Sequence, residues 1–448
     1  MIAGTGSGCG KTTVTCALLK ALSDRGLSVA GFKCGPDYID PMFLSRITGS
    51  EAHNLDTRLC GEKTVFDLFV KTASCADFSI IEGVMGLYDG IALDSEVGSS
   101  NHISALTETP ELLVVDVKGL GLSLAAVIQG YLSFRPNRIQ AIILNHCSLA
   151  MFHRYQELIQ KQCAVPVIGY FPDMPEVSIG SRHLGLVTAS EISDLEQKLD
   201  LLAKTVKETV DLDELIRIGH SAAALSCENT QDAVVKKSSI RIGVAKDQAF
   251  CFMYRDNLDL LERMGAELFF FSPLEDRELP KNINGLLLYG GYPEEYLPQL
   301  SNNRGMCETI YRAVTGGMPT IAECGGFLYL LERFTGRDGN CYPLVGAIHG
   351  AGWMTDKLVR FGYADITAKE DNLLFKQGES IPVHEFHYSD SDCNGTSMTA
   401  RKGKREWECI HATKTLFAGY PHIHLGGHPE CAERFLEACR AYQISNER

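Results

Sequence analysis

The sequence predicts an α/β protein built from two doubly wound domains. Three observations carry that expectation. Short apolar runs alternate with helix-like segments through the first half. A glycine-rich loop lies directly before an amphipathic helix near the amino terminus. After a polar stretch the strand–helix alternation starts again and runs to the end. At roughly 100–200 residues per domain, 448 residues suggest two to four domains.

In chain order, Ser28–Phe32, Phe78–Ile81, Leu112–Val117 and Ala141–Leu144 are rich in β-branched residues and poor in charge. They read as buried parallel strands. Thr12–Ser23 and Leu122–Tyr131 read as the helices between them. Only Met1-Ile2-Ala3 precede the glycine-rich loop, where a strand of ~5 residues is usual, so either a short strand or a start upstream of Met1 is expected. From Ser193 to Ile218 the spacing turns helical, with a capping box at Ser193 and Glu196. Ser221–Ser239 is small and polar and reads as a linker. Ile240–Ala245 opens the second domain, followed by Glu267–Phe271, Gly285–Tyr289 and Pro319–Glu323. The expected division is 1–190, a helix and linker over 191–238, and 239–448.

Composition excludes several classes. Hydrophobic residues are 45% and charged residues 22%, ordinary for a globular chain. The charge of −14 disfavours nucleic acid and anionic membrane as main partners. Sixteen scattered cysteines include no C-x-x-C pair. With no secretory leader and no run of 18 apolar residues, a cytoplasmic protein with reduced thiols is expected.

Gly4-Thr5-Gly6-Ser7-Gly8-Cys9-Gly10-Lys11-Thr12-Thr13 is the strongest local signal. Glycines at 6, 8 and 10 let backbone N–H groups wrap phosphates. Lys11 would reach the β/γ-phosphates, Thr12 would bind Mg²⁺, and the helix beginning with Thr12 and Thr13 adds its positive end. The strict motif has glycine where Thr5 stands, so the loop is a longer variant. Two acidic segments, Lys33–Pro41 and Ile80–Gly90, follow the second and third strands at ends where open α/β sheets bind ligands. Asp37, Asp40 and Glu82 there read as metal or substrate ligands, whereas Asp89 fits loop capping equally well. Asn145 could meet a base or simply close a strand-end turn.

In the second half, Pro319–Glu323 runs into Cys324, then Gly325-Gly326 and an expected helix Phe327–Phe334. A nucleophile on such a sharp turn needs small residues two before and two after it, and Ala322 and Gly326 comply. Gly290-Gly291 could supply an oxyanion donor. The base would come from Tyr420-Pro421-His422-Ile423-His424 or from His428-Pro429-Glu430. In a strand His422 and His424 share a face, so periodicity does not separate them.

Taken together, the phosphate loop, Asp37-Tyr38-Ile39-Asp40-Pro41, Glu82–Gly90, Arg182–Leu186, Ala322–Gly326, His384-Glu385-Phe386-His387-Tyr388-Ser389 and Tyr420–His424 resemble the cobyrinic acid a,c-diamide synthase family. The resemblance covers nearly the whole chain. It implies a dethiobiotin synthetase-like P-loop NTPase domain and a class I glutamine amidotransferase-like domain without the usual triad acid. It further implies ATP- and glutamine-dependent amidation of the a and c acetates of a corrin-type polycarboxylate. Cys324 would be the nucleophile and His422 or His424 its base, while His428, in the literal His-Pro-Glu, is a decoy. Mg²⁺ would sit with Thr12, Asp40 and Glu82, and substrate with Asp37, Tyr38, Asp40 and Asp89. A homodimer is implied by the resemblance alone. The same chemistry on nickel sirohydrochlorin or hydrogenobyrinic acid, and a non-catalytic P-loop binding protein, are the alternatives.

Overall fold

A computed structural model describes residues 1–177, 181–182, 185–186, 188–192, 194–225 and 240–446. Contacts divide the chain into two units, Met1–Asn229 and Thr230–Arg448.

The first unit begins β1 (Ile2–Gly4), α1 (Lys11–Asp24), β2 (Val29–Cys34), α2 (Ile39–Thr48), β3 (His53–Leu55), α3 (Thr57–Ala73) and β4 (Phe78–Glu82). It continues α4 (Ser100–Leu106), β5 (Glu111–Asp116), α5 (Ser123–Phe134), β6 (Ile139–Asn145), α6 (Leu149–Cys163) and β7 (Val167–Tyr170). These strands make one parallel sheet in the order β3-β2-β4-β1-β5-β6-β7. All six residues of β2 are buried, as a strand covered on both faces requires. Each fully buried Val or Leu contributes about 1.5–3 kcal/mol. Short as it is, β1 lies at the centre, between β4 and β5. The loops after β1, β2 and β4 therefore leave neighbouring strands on one edge of the sheet. Asp56 starts α3 by accepting from the backbone N–H groups of Arg58 and Leu59, both at 2.9 Å.

Two-residue strands β8 (Ser181–Arg182) and β9 (Gly185–Leu186) pair antiparallel. The helical stretch beyond is two helices, α7 (Leu195–Thr209) and α8 (Leu212–Gly219). Val210 is extended between them, and Asp211 restarts the helix by accepting from Glu214 N at 2.9 Å. A capping box forms at Thr188 and Glu191. The one expected at Ser193 lies outside the described residues, as does most of the expected linker, 226–239.

The second unit holds β10 (Arg241–Ala245), α9 (Arg255–Arg263), β11 (Glu267–Phe271), β12 (Gly285–Leu288), α10 (Leu297–Asn302), α11 (Arg304–Thr315), β13 (Thr320–Glu323) and α12 (Gly325–Leu330). Shorter strands follow: β14 (Leu331–Thr335), β15 (Cys341–Pro343), β16 (Ile348–Met354), β17 (Arg360–Ala368), β18 (Ser380–His387), β19 (Ser389–Ser391), β20 (Met398–Lys402), β21 (Arg405–Cys409), β22 (His411–Ala412) and β23 (Leu416–Gly419). The chain ends on α13 (Pro429–Asn446). The main sheet runs β11-β10-β12-β13-β23-β22, parallel except for the β22–β23 pair. Two separate four-stranded sheets, β15-β14-β16-β19 and β18-β17-β20-β21, complete the strands of this unit. The helix expected over Phe327–Phe334 is corrected: it stops at Leu330, and Leu331 turns extended to begin β14. Parallel pairing of Leu331 to Thr335 with β16 outweighs the helical continuation.

Among the described residues every cysteine is a free thiol. Among them no helix is long and apolar enough to cross a membrane.

Candidate active sites in the two units

In the first unit, Gly10 is the N-cap of α1 with φ 98°, so Lys11 and Thr12 open the helix beside the loop. Lys11 is buried. Its ammonium donates to the carbonyl oxygens of Gly6 (2.8 Å) and Met85, tying the phosphate loop to the loop after β4. Burial lowers its pKa. Gly8 and Thr13 are exposed, and Gly6, Gly10 and Thr12 are half-buried, so this wall remains accessible. Asn145, at the end of β6, donates to the Cys9 carbonyl at 3.0 Å and braces the loop.

Two of the expected acidic residues, Glu82 and Asp40, meet beside this loop. The Thr12 hydroxyl donates to Glu82 Oε1 at 2.6 Å. Lys33, from β2, joins Glu82 Oε1 (2.8 Å) to Asp40 Oδ2 (2.5 Å). Burial and nearby Asp40 push the Glu82 carboxyl up to about 7. Burial opposes the charge on Lys33, but Asp40 and Glu82 hold its pKa well above the ordinary value. Glu82 Oε2 is buried with no hydrogen-bond partner among the described residues. An orphaned carboxylate oxygen beside a hydroxyl and a second carboxylate suits a hard divalent cation such as Mg²⁺.

Asp37 contributes mainly to the backbone. Its Oδ1 accepts from Ile39 N (2.8 Å) and Asp40 N (3.1 Å), and burial with Asp40 raises its pKa to about 6. Tyr38 is the N-cap residue of α2, on the same loop. Asp89 is exposed and accepts from Gly86 N at 2.8 Å, the loop-capping geometry.

In the second unit, Cys324 sits at the end of β13 with φ 47° and ψ −106°. That left-handed turn costs a non-glycine residue about 1–3 kcal/mol and presents the side chain where strand meets helix. Close packing enforces the turn. A methyl on Gly326 would lie 1.9 Å from the Leu288 carbonyl oxygen. Cys324 N donates to Gly419 O at 2.7 Å, locking the turn to β23.

The segment after β23 carries the histidines. His422 and His424 are both buried, yet not as a strand pair: His422 alone forms an isolated bridge, with His384. The structure brings His422 to Cys324. Burial opposes its charge, but hydrogen bonds to Cys324 and Glu323 raise its pKa to about 10. His424 instead has Nε2 3.7 Å from Asp256, and its ring packs on Tyr254. His428 pairs with Glu430 at 3.6 Å.

Residues 1–187 match the CobQ/CobB/MinD/ParA nucleotide binding domain, and residues 241–430 match the CobB/CobQ-like glutamine amidotransferase domain. The chain is 40% identical to the cobyrinate a,c-diamide synthase of Caldanaerobacter subterraneus subsp. tengcongensis, over 99% of this chain and 98% of the relative. This chain belongs to the cobyrinate a,c-diamide synthase family. The member from Listeria innocua is 40% identical, over 96% of both chains. That from Priestia megaterium is 37% identical, over 98% of this chain and 97% of its own.

Two residues of these sites went unassigned in the sequence. Lys33 lay inside a quoted segment, but nothing in its spacing marked it as the cation between two carboxylates. Glu323 is the other. The family resemblance implied a glutamine site without a triad acid, yet Glu323 Oε2 lies 3.2 Å from His422 Nδ1. Its only sequence signal was an acidic residue inside an otherwise apolar strand.

Proposed function

We propose that the chain is an ATP- and glutamine-dependent amidoligase that converts cobyrinic acid to its a,c-diamide in cobalamin biosynthesis. Residues 1–190 activate the carboxylate and 239–448 supply ammonia, with 191–238 between them. The observation that carries the reading is the pairing, in one chain of this family, of a Lys11–Thr12–Glu82 phosphate site with a Cys324–His422 pair.

Amidation needs both sites because a carboxylate oxygen is a poor leaving group. In the first, Gly6, Gly8 and Gly10 offer backbone N–H groups to the ATP phosphates, and Lys11 balances charge on the transferring γ-phosphoryl group. The substrate carboxylate attacks that group, giving an acyl phosphate and ADP. Thr12, Asp40 and Glu82 would hold Mg²⁺, which when bound neutralises phosphate charge. Asp37, Tyr38 and Asp89 border the substrate. In the second site, the Cys324 thiolate attacks the glutamine side-chain amide, and the carbon–nitrogen bond breaks as His422 gives its proton to the leaving ammonia. Water, deprotonated by His422, then cleaves the thioester to release glutamate. Ammonia displaces phosphate from the acyl phosphate, and two rounds give the diamide.

The family likeness supports a cytoplasmic location and a homodimer, the latter tested by light scattering. Cys324→Ser tests the glutamine half directly. It is expected to abolish glutamine hydrolysis and glutamine-driven amidation, with added ammonium salt restoring product. Equal hydrolysis by both proteins would refute the assignment.

A further inference from the structure

We propose that the Glu323 carboxylate completes the glutamine site as a positioning residue, holding His422 with Nδ1–H toward itself and Nε2 toward the Cys324 sulfur. This rests on reading Cys324 as the nucleophile. It adds an acid from an unexpected place, the residue directly before the nucleophile.

Four observations carry it. Glu323 Oε2 is 3.2 Å from His422 Nδ1, and its Oε1 accepts from Ile423 N at 3.3 Å. One carboxylate thus grips both the ring and the backbone beside it. Both partners are nearly inaccessible, Glu323 at 1% and His422 at 2%. A carboxylate so placed is costly unless paired, and an apolar residue would suit the strand better. Register explains the meeting: Glu323 lies opposite Gly419 in the β13–β23 pair, so the chain three residues on passes the end of β13. Finally, the ring orientation fits. A methyl on Gly290 would lie 2.7 Å from His422 Cε1, 3.5 Å from His422 Nε2 and 3.5 Å from Cys324 Cβ. The Nε2 edge and Cys324 therefore flank the same point, opposite the Nδ1 that Glu323 holds.

The titratable groups around this ring are few. Glu323 and Cys324 come from the β13–α12 turn, Tyr289 lies beside Glu323 beyond β12, and His384 comes from β18. Burial and the charge on His422 lower His384 to about 3, so it stays neutral and does not compete for the proton. Glu323 is the anion that fixes which nitrogen of His422 faces the thiol. With the wrong tautomer the ring cannot pass protons to and from sulfur and leaving ammonia.

The test uses Glu323→Gln, which keeps size and removes charge, in the full chain. Glutaminase kcat is expected to fall on the order of 10³-fold, with KM for glutamine little changed. The alkaline limb of kcat/KM, where His422 loses its proton, moves to lower pH. Glu323→Asp recovers part of the rate. Near-wild-type kcat in Glu323→Gln, or a loss with the alkaline limb unmoved, would overturn the proposal. If near-ultraviolet circular dichroism shows that Glu323→Gln does not fold, the wild-type histidine ¹⁵N spectrum decides. Above about pH 10, where the ring is neutral, a proton on His422 Nδ1 supports the role, and a bare Nδ1 overturns it. Glutamine hydrolysis by Cys324→Ser would instead remove the nucleophile reading, whatever the Glu323 variants do.

Discussion

Two buried cations organise the phosphate site, and they do different things. Lys11 reaches loop carbonyls and is poised for phosphate, whereas Lys33 is committed to Asp40 and Glu82. Lys11→Ala should therefore lower ATP-driven amidation about 10²–10³-fold whether the nitrogen comes from glutamine or ammonium, while glutamine hydrolysis assayed separately persists. At the second site the charge is on His422. Its pKa is about 10 folded against an ordinary 6.5. Its pairing thus contributes stability fully below about pH 6.5 and loses that contribution as pH rises through about 10. Calorimetry from pH 6.5 to 10 should show a falling melting temperature, and His422→Gln should flatten that slope. The strand-to-helix turn at Cys324 was legible because its signal is local: a buried strand, a cysteine and two glycines. Glu323 was not, because its partner lies 99 residues away and only the β13–β23 register brings them together.

At the scale of elements, turns and caps hold the functional side chains. Gly326 admits the Leu288 carbonyl where any side chain would collide. Gly326→Val should lower the melting temperature by the equivalent of about 1–3 kcal/mol and remove glutaminase activity through displacement of Cys324. Asp56→Ala deletes the two bonds that start α3 and should cost about 1 kcal/mol, with glutaminase activity unaffected. Periodicity showed the central parallel strands well because strands such as β2 and β5 are buried on both faces. It misjudged the segments near Cys324. Residues 331–335 hold no glycine or proline to stop a helix, and only pairing with β16 makes them a strand. The two histidines after β23 were treated as strand neighbours on one face. The chain there follows a bend, so one ring meets Glu323 and the other Asp256.

For the whole molecule, a net charge of −14 gives no attraction for a polycarboxylate substrate. Positive potential has to be local: Lys11 and the α1 amino terminus provide it, and a cation held at Glu82 would add to it. Two chemistries in one family member predict two separable losses: Cys324→Ser should be rescued by ammonium, and Lys11→Ala should not. The most direct test of the whole account is mass spectrometry of cobyrinic acid incubated with the chain, ATP, Mg²⁺ and glutamine. The account predicts stepwise conversion to a monoamide and then the a,c-diamide, with one ATP consumed for each amide formed. Unchanged cobyrinic acid with both glutamine and ammonium as nitrogen donors would contradict it.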